Sequence, residues 1–211
     1  MHVLFVCTGN VCRSVIAERL TRAMAAEHGI DDLTAESAGT RALVGFGVEP
    51  LAAQTITGLG AEAGNFSARK LKPEMIARAE LILTMTEQIR DHIVESDPAA
   101  SGRTFTLLEA YRVAKVSGAR TVAAIDSARN DLALVGRENI ADPVGLSSEK
   151  YCAVGDRIAE TLVPLLLALH TRRQAGSATD TRGRPRLVLL PGGRVEAPQP
   201  PVEHLRIGRH A

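Results

Sequence analysis

The segment V-L-F-V-C-T-G-N-V-C-R-S spans residues 3–14 and contains three kinds of local sequence in succession. Val3–Val6 is an apolar run with the length of a buried strand. Gly9 and Asn10 then interrupt the run, and both residue types tolerate backbone angles that other residues avoid. From Ser14 onward the apolar residues recur at helical spacing. The segment therefore predicts a strand, a tight loop and a helix.

The same alternation continues along the chain. Further strands are predicted at 33–38, 81–85 and 104–107, and helices at 49–61, 73–79, 86–96 and 147–169. The Ala-rich stretch 108–135 is predicted to be helical in pieces. Strands that alternate with helices form crossover units around a parallel sheet that is covered on both faces. We therefore predict a single-domain α/β fold with four strands in its sheet.

The loop from Cys7 to Ser14 leaves a buried strand and enters a helix, so its backbone N–H groups converge at the positive end of that helix. Such an arrangement binds an oxyanion such as phosphate. Open α/β sheets also place their ligands at the carboxyl ends of the strands. We therefore predict a phosphate-binding loop after the first strand. The alternative is a buried structural cysteine beside a surface arginine, whereas a nucleotide-binding loop would need a G-K-[ST] sequence.

Each residue type in the loop has a chemical task at such a site. Converging N–H dipoles stabilise the thiolate of Cys7, which can attack phosphorus and divide hydrolysis into two easier steps. Arg13 presents a planar fork of donors that suits two phosphate oxygens at once. Ser14 can donate its hydroxyl proton to the departing thiolate. Gly9 permits close backbone approach, and Asn10 can adopt a left-handed angle that turns an N–H inward.

The charge of the chain is nearly balanced, with 25 basic and 24 acidic side chains and a net charge of +1. A nucleic-acid binder would show a strong basic excess, so we expect no nucleic-acid partner. Residues 172–211 differ from the rest, because they hold eight Arg, three acids and five of the ten prolines. We therefore predict a domain over residues 1–171 and a flexible Pro/Arg-rich tail over 172–211, with a docked strand at Leu187–Leu190 as the alternative.

Signals for membranes and secretion are not visible in the sequence. The longest run without a polar residue is Leu162–Leu169, far short of the roughly 20 residues that span a bilayer. The N-terminus lacks the features of a signal peptide. The three cysteines, Cys7, Cys12 and Cys152, cannot form a disulfide framework, which points to a reducing compartment. We therefore expect a cytoplasmic protein with no membrane partner. The six histidines show no spacing typical of metal ligands, so we expect neither a metal nor another cofactor.

The sequence resembles the low-molecular-weight protein tyrosine phosphatases over roughly residues 1–170. The resemblance rests first on V-C-T-G-N-V-C-R-S at 6–14, directly after an N-terminal strand. Further matches are A-E at 17–18, S-A-G-T at 37–40, A-R at 68–69, A-E-L-I-L-T-M at 79–85 and D-P at 142–143. The resemblance implies a four-stranded parallel sheet with helices on both faces.

The resemblance also implies a cysteine-dependent phosphatase that acts on a phosphorylated protein or a small phosphomonoester through a cysteinyl-phosphate intermediate. It assigns the nucleophile to Cys7, phosphate binding to Arg13 and the general acid to Asp142. The other substrate-binding positions are Thr8, Gly9, Asn10, Val11, Cys12 and Ser14. Asp97 precedes a proline in the same way, but it ends an amphipathic helix, where Asp-Pro commonly marks a turn. Asp142 is the favoured acid, because it precedes the last long helix.

Two departures from the family pattern bear on the site. Phe66 stands where many members have a histidine that helps to hold the loop asparagine. We therefore expect Asn10 to depend on Ser14 and Ser37. Val144 stands where the family has an aromatic residue that lines the entrance for a phosphotyrosine ring.

Protein phosphotyrosine is the substrate that the sequence favours. In the family, Ile at the position of Val11 is common in tyrosine phosphatases, whereas Thr appears in phosphoarginine phosphatases. Val11 has the shape of both but lacks the hydroxyl, so protein phosphoarginine remains an alternative. An arsenate reductase of the same fold would need two further redox cysteines in a mobile segment. Outside the loop the chain has only Cys152, which lies within a predicted helix and is expected to belong to the protein core. A catalytically weak phospho-ligand sensor is the non-enzymatic alternative.

Overall fold

Four parallel strands form the sheet at the centre of the fold. The computed structural model describes residues 1–129 and 139–170. The strands are β1 (His2–Cys7), β2 (Thr34–Gly39), β3 (Leu81–Thr84) and β4 (Thr104–Thr106), in the order β2-β1-β3-β4. β1 is hydrogen-bonded on both of its edges, because Val3 is paired with Ala35 of β2 and with Leu81 of β3. The prediction of a single-domain α/β fold is confirmed.

The helices follow the strands in the alternation that the sequence predicts. Within the described residues they are α1 (Arg13–His28), α2 (Pro50–Gly58), α3 (Pro73–Arg78), α4 (Glu87–Ser96), α5 (Leu107–Ser117), α6 (Val122–Arg129) and α7 (Ser148–His170). A short 3₁₀ helix, Pro98–Arg103, connects α4 to β4.

Local sequence sets the ends of several helices. Gly29 and Gly118 end α1 and α5, where they adopt left-handed φ angles of 63° and 71°. Thr86 caps α4, because its side chain accepts a hydrogen bond from the backbone N–H three residues later. A capping box begins α5, in which the side chains of Thr106 and Glu109 each accept a hydrogen bond from the other residue's backbone N–H.

Apolar side chains on both sides of the sheet form two separate cores. Val3 and Phe5 of β1 face the larger core, where α1, α2, α5 and α7 pack. Leu4 and Val6 point to the opposite face, which α3 and α4 cover. Successive side chains of a strand alternate between faces, so a strand covered on both faces is apolar throughout. This explains the continuous apolar run at the start of the chain.

Two local predictions are wrong. Leu107 is predicted to end the fourth strand, but it is the first residue of α5, because Thr106 caps that helix. Cys152 is predicted to lie in the core, but it is exposed. The buried side chains of α7 include Tyr151 and Val154, and the exposed Cys152 lies between them on the solvent side of the helix.

The predicted tail, residues 172–211, lies outside the described residues, as does the segment 130–138. Across the described ranges, no helix combines the length and the apolar character needed to cross a bilayer.

The carboxyl ends of the parallel strands meet at one edge of the sheet, and two distant parts of the chain come together there. β1 ends at Cys7. Ile140 donates its N–H to the carbonyl oxygen of Met85, directly after β3, at 2.8 Å. The side-chain oxygen of Asn139 accepts a hydrogen bond from the N–H of Glu87 at 2.7 Å. These two bonds bring the segment that contains Asp142 to the same edge as the loop after β1.

The buried carboxylate of Glu109 connects helices α4, α5 and α6 to the end of β4. Glu109 of α5 is 3% exposed and accepts hydrogen bonds from Arg90 of α4 at 3.1 Å and Arg129 of α6 at 2.8 Å. It also accepts the N–H of Thr106 at 3.1 Å. Burial raises the pKa of Glu109, but Arg129, the Thr106 N–H and Arg90 outweigh this effect and hold the pKa below its ordinary value.

We expect Glu109→Gln to lower the free energy of unfolding by about 3 kcal/mol near neutral pH, because two partly buried guanidinium groups lose their shared buried counter-charge and keep only the more exposed Asp91 and Asp126. The folded-state pKa is lowered, so the contribution of the carboxylate is present above the unfolded-state pKa near 4.5 and is lost as the pH falls through the folded-state value. The difference between wild type and variant in urea denaturation should therefore shrink in acid.

Asp91→Asn is the matched control, because Asp91 also pairs with Arg90 but its side chain is 55% exposed. It should change the free energy of unfolding by less than about 1 kcal/mol. An equal loss of stability in both variants would contradict a special role for the buried carboxylate.

Candidate active site

The loop between β1 and α1 is held from outside through its carbonyl groups. Four of them accept hydrogen bonds from backbone N–H groups of the segment 40–49, at distances of 2.9–3.1 Å. The pairs, donor first, are Thr40 with Cys7, Arg41 with Thr8, Leu43 with Gly9 and Glu49 with Val11. Because these carbonyl groups are hydrogen-bonded to the segment outside the loop, the N–H groups of the loop can point inward and bind a ligand there. The loop therefore has the form of a cradle for an oxyanion.

Asn10 connects the parts of this cradle. It has a left-handed φ of 54°, as predicted, and its N–H donates to Sγ of Cys7 at 3.2 Å. Its side-chain Nδ2 donates to Oγ of Ser14 at 3.0 Å and to Oγ of Ser37 at 2.9 Å. Its Oδ1 accepts the backbone N–H of Arg69 at 2.8 Å, a contact that settles the orientation of the amide. The expected contacts with Ser14 and Ser37 are confirmed, and Arg69 adds a third.

Ser14 is placed to donate its hydroxyl proton to the sulfur of Cys7. Its Oγ lies 2.9 Å from Sγ of Cys7. Because this oxygen already accepts a hydrogen bond from Asn10, its hydroxyl proton is free for the sulfur. The sulfur thus has two donors, one from the backbone and one from a side chain.

Glu18 supports the network from behind, a role that sequence reasoning missed. It is 1% exposed and accepts the hydroxyl proton of Ser37 at 2.5 Å. Arg22 at 2.6 Å and Arg69 at 3.7 Å balance its charge. The motifs A-E at 17–18 and A-R at 68–69 contain Glu18 and Arg69, so these motifs were the available signal. Phe66 lies instead beside Arg19, whose guanidinium is 5.7 Å from the ring centroid.

Gly39, at the end of β2, is the point of closest approach to the loop. A Cβ atom at this position would lie 2.5 Å from the carbonyl oxygen of Thr8 and 3.0 Å from the backbone N of Asn10. Both neighbours are held by the hydrogen bonds described above, so neither can give way cheaply. Glycine is therefore required at position 39.

Arg13 and Asp142 face each other across the site. Arg13 is 4% exposed, and its two Nη atoms donate to the carbonyl oxygen of Ile140 at 3.0 Å and to Oδ2 of Asp142. Its Nε is buried and has no hydrogen-bond partner within residues 1–129 and 139–170. A phosphate oxygen would supply the missing acceptor, which fits the bidentate role expected of this arginine. Asp142 is 47% exposed, so an incoming substrate can reach its carboxyl group.

The two cysteines of the loop differ in their surroundings. Cys7 has hydrogen-bond donors directed at its sulfur, from Asn10 and Ser14. Cys12 is buried, and burial together with the neighbouring Cys7 raises the pKa of the Cys12 thiol well above its ordinary value. Cys12 therefore stays protonated near neutral pH, and the two loop cysteines differ in that donors are directed only at the sulfur of Cys7 within the described residues.

A buried tyrosine on α7 is connected to the loop through Glu49. Tyr151 is 1% exposed, and its hydroxyl is hydrogen-bonded to the carboxylate of Glu49. Glu49 in turn caps α2 by accepting the N–H of Ala52 at 2.9 Å, and its own N–H donates to the carbonyl of Val11. Burial, followed by the bond to Glu49, raises the pKa of Tyr151. Sequence reasoning missed this contact.

The cavity above Cys7 has a volume of about 230 Å³. Its floor is the loop, and its mouth is lined by Arg41, Leu43, Asp142 and Val144. Leu43 and Val144 are 50% and 55% exposed, so the mouth presents two aliphatic side chains to solvent. Asp97, the rival acid, lies at the end of α4 and does not line this cavity.

We expect Gly39→Ala to lower kcat/KM on an aryl phosphate by about 100-fold, because the added methyl group displaces the loop from its reactive geometry. Gly47→Ala, in the same glycine-rich segment, is the matched control, since a Cβ at that position meets nothing within 4 Å. Circular dichroism should show that both variants are folded. Similar activity in the two variants would show that the close approach is not needed.

Comparisons with known proteins agree with this geometry. Residues 2–124 match the family described as low molecular weight phosphotyrosine protein phosphatase. A low molecular weight protein-tyrosine-phosphatase of Acinetobacter johnsonii is 34% identical over 106 residues, which are 50% of this chain and 71% of that protein. A protein-arginine-phosphatase of Geobacillus stearothermophilus is 34% identical over 165 residues, which are 78% of this chain and 93% of that protein.

Solved structures give the same result for the fold. The structure of the arginine phosphatase from Geobacillus stearothermophilus matches with a TM-score of 0.63 and 31% sequence identity. The match covers 85% of this chain and 98% of that one. The chain therefore belongs to the low molecular weight phosphotyrosine protein phosphatase family, and it is a cysteine-dependent phosphatase.

Proposed function

We propose that this phosphatase hydrolyses protein phosphotyrosine. The observation that carries the proposal is the mouth of the cavity, where Leu43 and Val144 supply aliphatic walls and Arg41 a positive charge. An aromatic ring can pack between apolar walls while its phosphoryl group reaches the loop. In phosphoarginine the group next to phosphorus is a guanidinium, whose positive charge would lie close to Arg41.

In the first chemical step, the thiolate of Cys7 attacks phosphorus, so that a sulfur–phosphorus bond forms as the bond to the tyrosyl oxygen breaks. The loop N–H groups and Arg13 hold the phosphoryl oxygens throughout. Asp142 gives its proton to the leaving oxygen. Arg13 donates a hydrogen bond to Asp142 in the structure, so in this step it contacts both the phosphoryl group and the acid.

In the second step, Asp142 takes a proton from water, whose oxygen attacks phosphorus. The sulfur–phosphorus bond breaks, and inorganic phosphate and the Cys7 thiolate are released. Ser14 stabilises that thiolate, because its hydroxyl lies 2.9 Å from the sulfur.

Protein phosphoarginine is the second candidate substrate. It is favoured by the similarity to the protein-arginine-phosphatase of Geobacillus stearothermophilus, which extends over 93% of that protein. Val11, at the base of the cavity, is compatible with both substrates by its shape.

Two peptides of identical sequence, one with phosphotyrosine and one with phosphoarginine at the same position, separate the candidates. We expect kcat/KM to be higher on phosphotyrosine by about tenfold or more. Cys7→Ser should abolish both activities, because a serine hydroxyl stays protonated where the thiol ionises. A higher kcat/KM on phosphoarginine would assign the enzyme to the second substrate.

Substitution of the acid gives a prediction that depends on the leaving group. Asp142→Asn should lower kcat on a phosphotyrosine peptide by about 100-fold or more, because this leaving oxygen needs a proton in the transition state. The loss on 4-nitrophenyl phosphate should be much smaller, since nitrophenolate leaves without one. Measurement of kcat on both substrates checks the ratio.

Asp97→Asn is the matched control, because Asp97 also precedes a proline but lies at the end of α4. It should leave both rates near those of wild type. An equal loss on both substrates in Asp142→Asn, or a larger loss in Asp97→Asn, would place the acid elsewhere.

A further inference from the structure

A side groove of about 940 Å³ opens directly beside the catalytic cavity. The two share Thr8, Arg13, Arg41 and Asp142 among their lining residues. The far wall of the side groove is the first part of α4 and the turn before it, from Thr86 to His92. A polypeptide with its phosphorylated side chain in the cavity would therefore have neighbouring residues within the side groove.

Arg41 lies at the junction of the cavity and the side groove, since it lines both. Its backbone is anchored to the catalytic loop, because its N–H donates to the carbonyl of Thr8 at 2.9 Å. Its side chain is exposed, and among residues 1–129 and 139–170 no carboxylate forms an ion pair with it.

The other arginine and carboxylate side chains that line the side groove have partners. Arg13 donates to Asp142, and the carboxylate of Glu87 accepts a hydrogen bond from the side-chain amide of Asn139 at 3.1 Å. Among the arginine and carboxylate side chains of the side groove, Arg41 is thus the one that has no partner within the described residues. A guanidinium is a planar fork of donors that matches a carboxylate.

We propose that Arg41 determines specificity by binding the carboxylate of a substrate Asp or Glu that lies next to the phosphorylated residue. The inference rests on the proposed action on a phosphorylated polypeptide, and it names the sequence that such a polypeptide carries. The phosphoryl group itself is served by the loop N–H groups and Arg13. The charge of Arg41 at the mouth is therefore available to the residues that flank it.

This inference can be tested with three phosphotyrosine peptides. They differ only in the residues that flank the phosphotyrosine, which are Glu in the first, Gln in the second and Lys in the third. Wild type should show kcat/KM about fivefold higher for Glu than for Gln, with Lys the poorest, and the difference should appear in KM. The preference should weaken in 0.5 M NaCl, because the pair is exposed to solvent.

Arg41→Gln should remove the preference for Glu, and Arg41→Glu should reverse it in favour of Lys. The ratio between peptides is the readout, since a general effect on the cavity would lower all rates together, including that on 4-nitrophenyl phosphate. Arg120→Gln is the matched control, because Arg120 is an exposed arginine that lines a separate cavity with Met1 and His170. It should keep the wild-type ratios.

A preference for Glu that survives in Arg41→Gln, or a wild-type enzyme that does not distinguish the three peptides, would overturn the inference. If the enzyme hydrolyses phosphoarginine peptides and not phosphotyrosine peptides, the proposed substrate is wrong. The same flanking series on phosphoarginine then decides the role of Arg41, with the same expected ratios.

Discussion

Cys7 is only 2% exposed, so a negative charge on its sulfur must be stabilised by hydrogen bonds, because burial removes the water that would otherwise solvate it. At one end of the network lies the sulfur of Cys7 and at the other the carboxylate of Glu18, and both are acceptors. Ser14 donates to the first and Ser37 to the second. A residue between them must donate in both directions, and the two N–H bonds of the Asn10 amide do so. An aspartate or a serine at position 10 has no such pair of protons.

The loop is held by backbone hydrogen bonds, whereas the mouth of the cavity is formed by side chains. The segment 40–49 is anchored to the loop through backbone hydrogen bonds, so its side chains are free of that task. The segment that contains Val144 is anchored through Asn139 and the backbone of Ile140. Residues such as Arg41 and Leu43 can therefore differ between relatives without disturbing the reactive groups. Because the side chains at the mouth are separate from the loop, the same loop can act on different phosphorylated residues when those side chains change.

The sequence predicts the parts of the molecule whose causes are local. The apolar run of β1 and the helical spacing after Ser14 define a strand, a loop and a helix within one short segment. Thr86 and Gly29 likewise mark helix ends through their own chemistry. Even locally, a cap can override an apolar pattern, as Leu107 shows by starting α5 instead of extending β4.

Contacts between distant segments are harder to predict, because many of them do not depend on which residue type stands at the position. Arg69 holds Asn10 through its backbone N–H, which every residue except proline possesses. The need for glycine at position 39 arises from its distance to Thr8, 31 positions earlier in the chain. Glu49 and Tyr151 are ordinary residues of a helix cap and a helix core until the fold brings them together.

The contact between Arg13 and Asp142 joins residues 129 positions apart. Ribosomes synthesise a chain in the N- to C-terminal direction, so β1, which ends at Cys7, emerges before β3 and before the segment that contains Asp142. It lies in the interior of the sheet and cannot complete its hydrogen bonds until β3 has been made. A nascent chain thus contains Cys7 long before it contains Asp142, and α7, which packs against α1, comes later still. The contact between Arg13 and Asp142 therefore forms only after most of the domain has been synthesised.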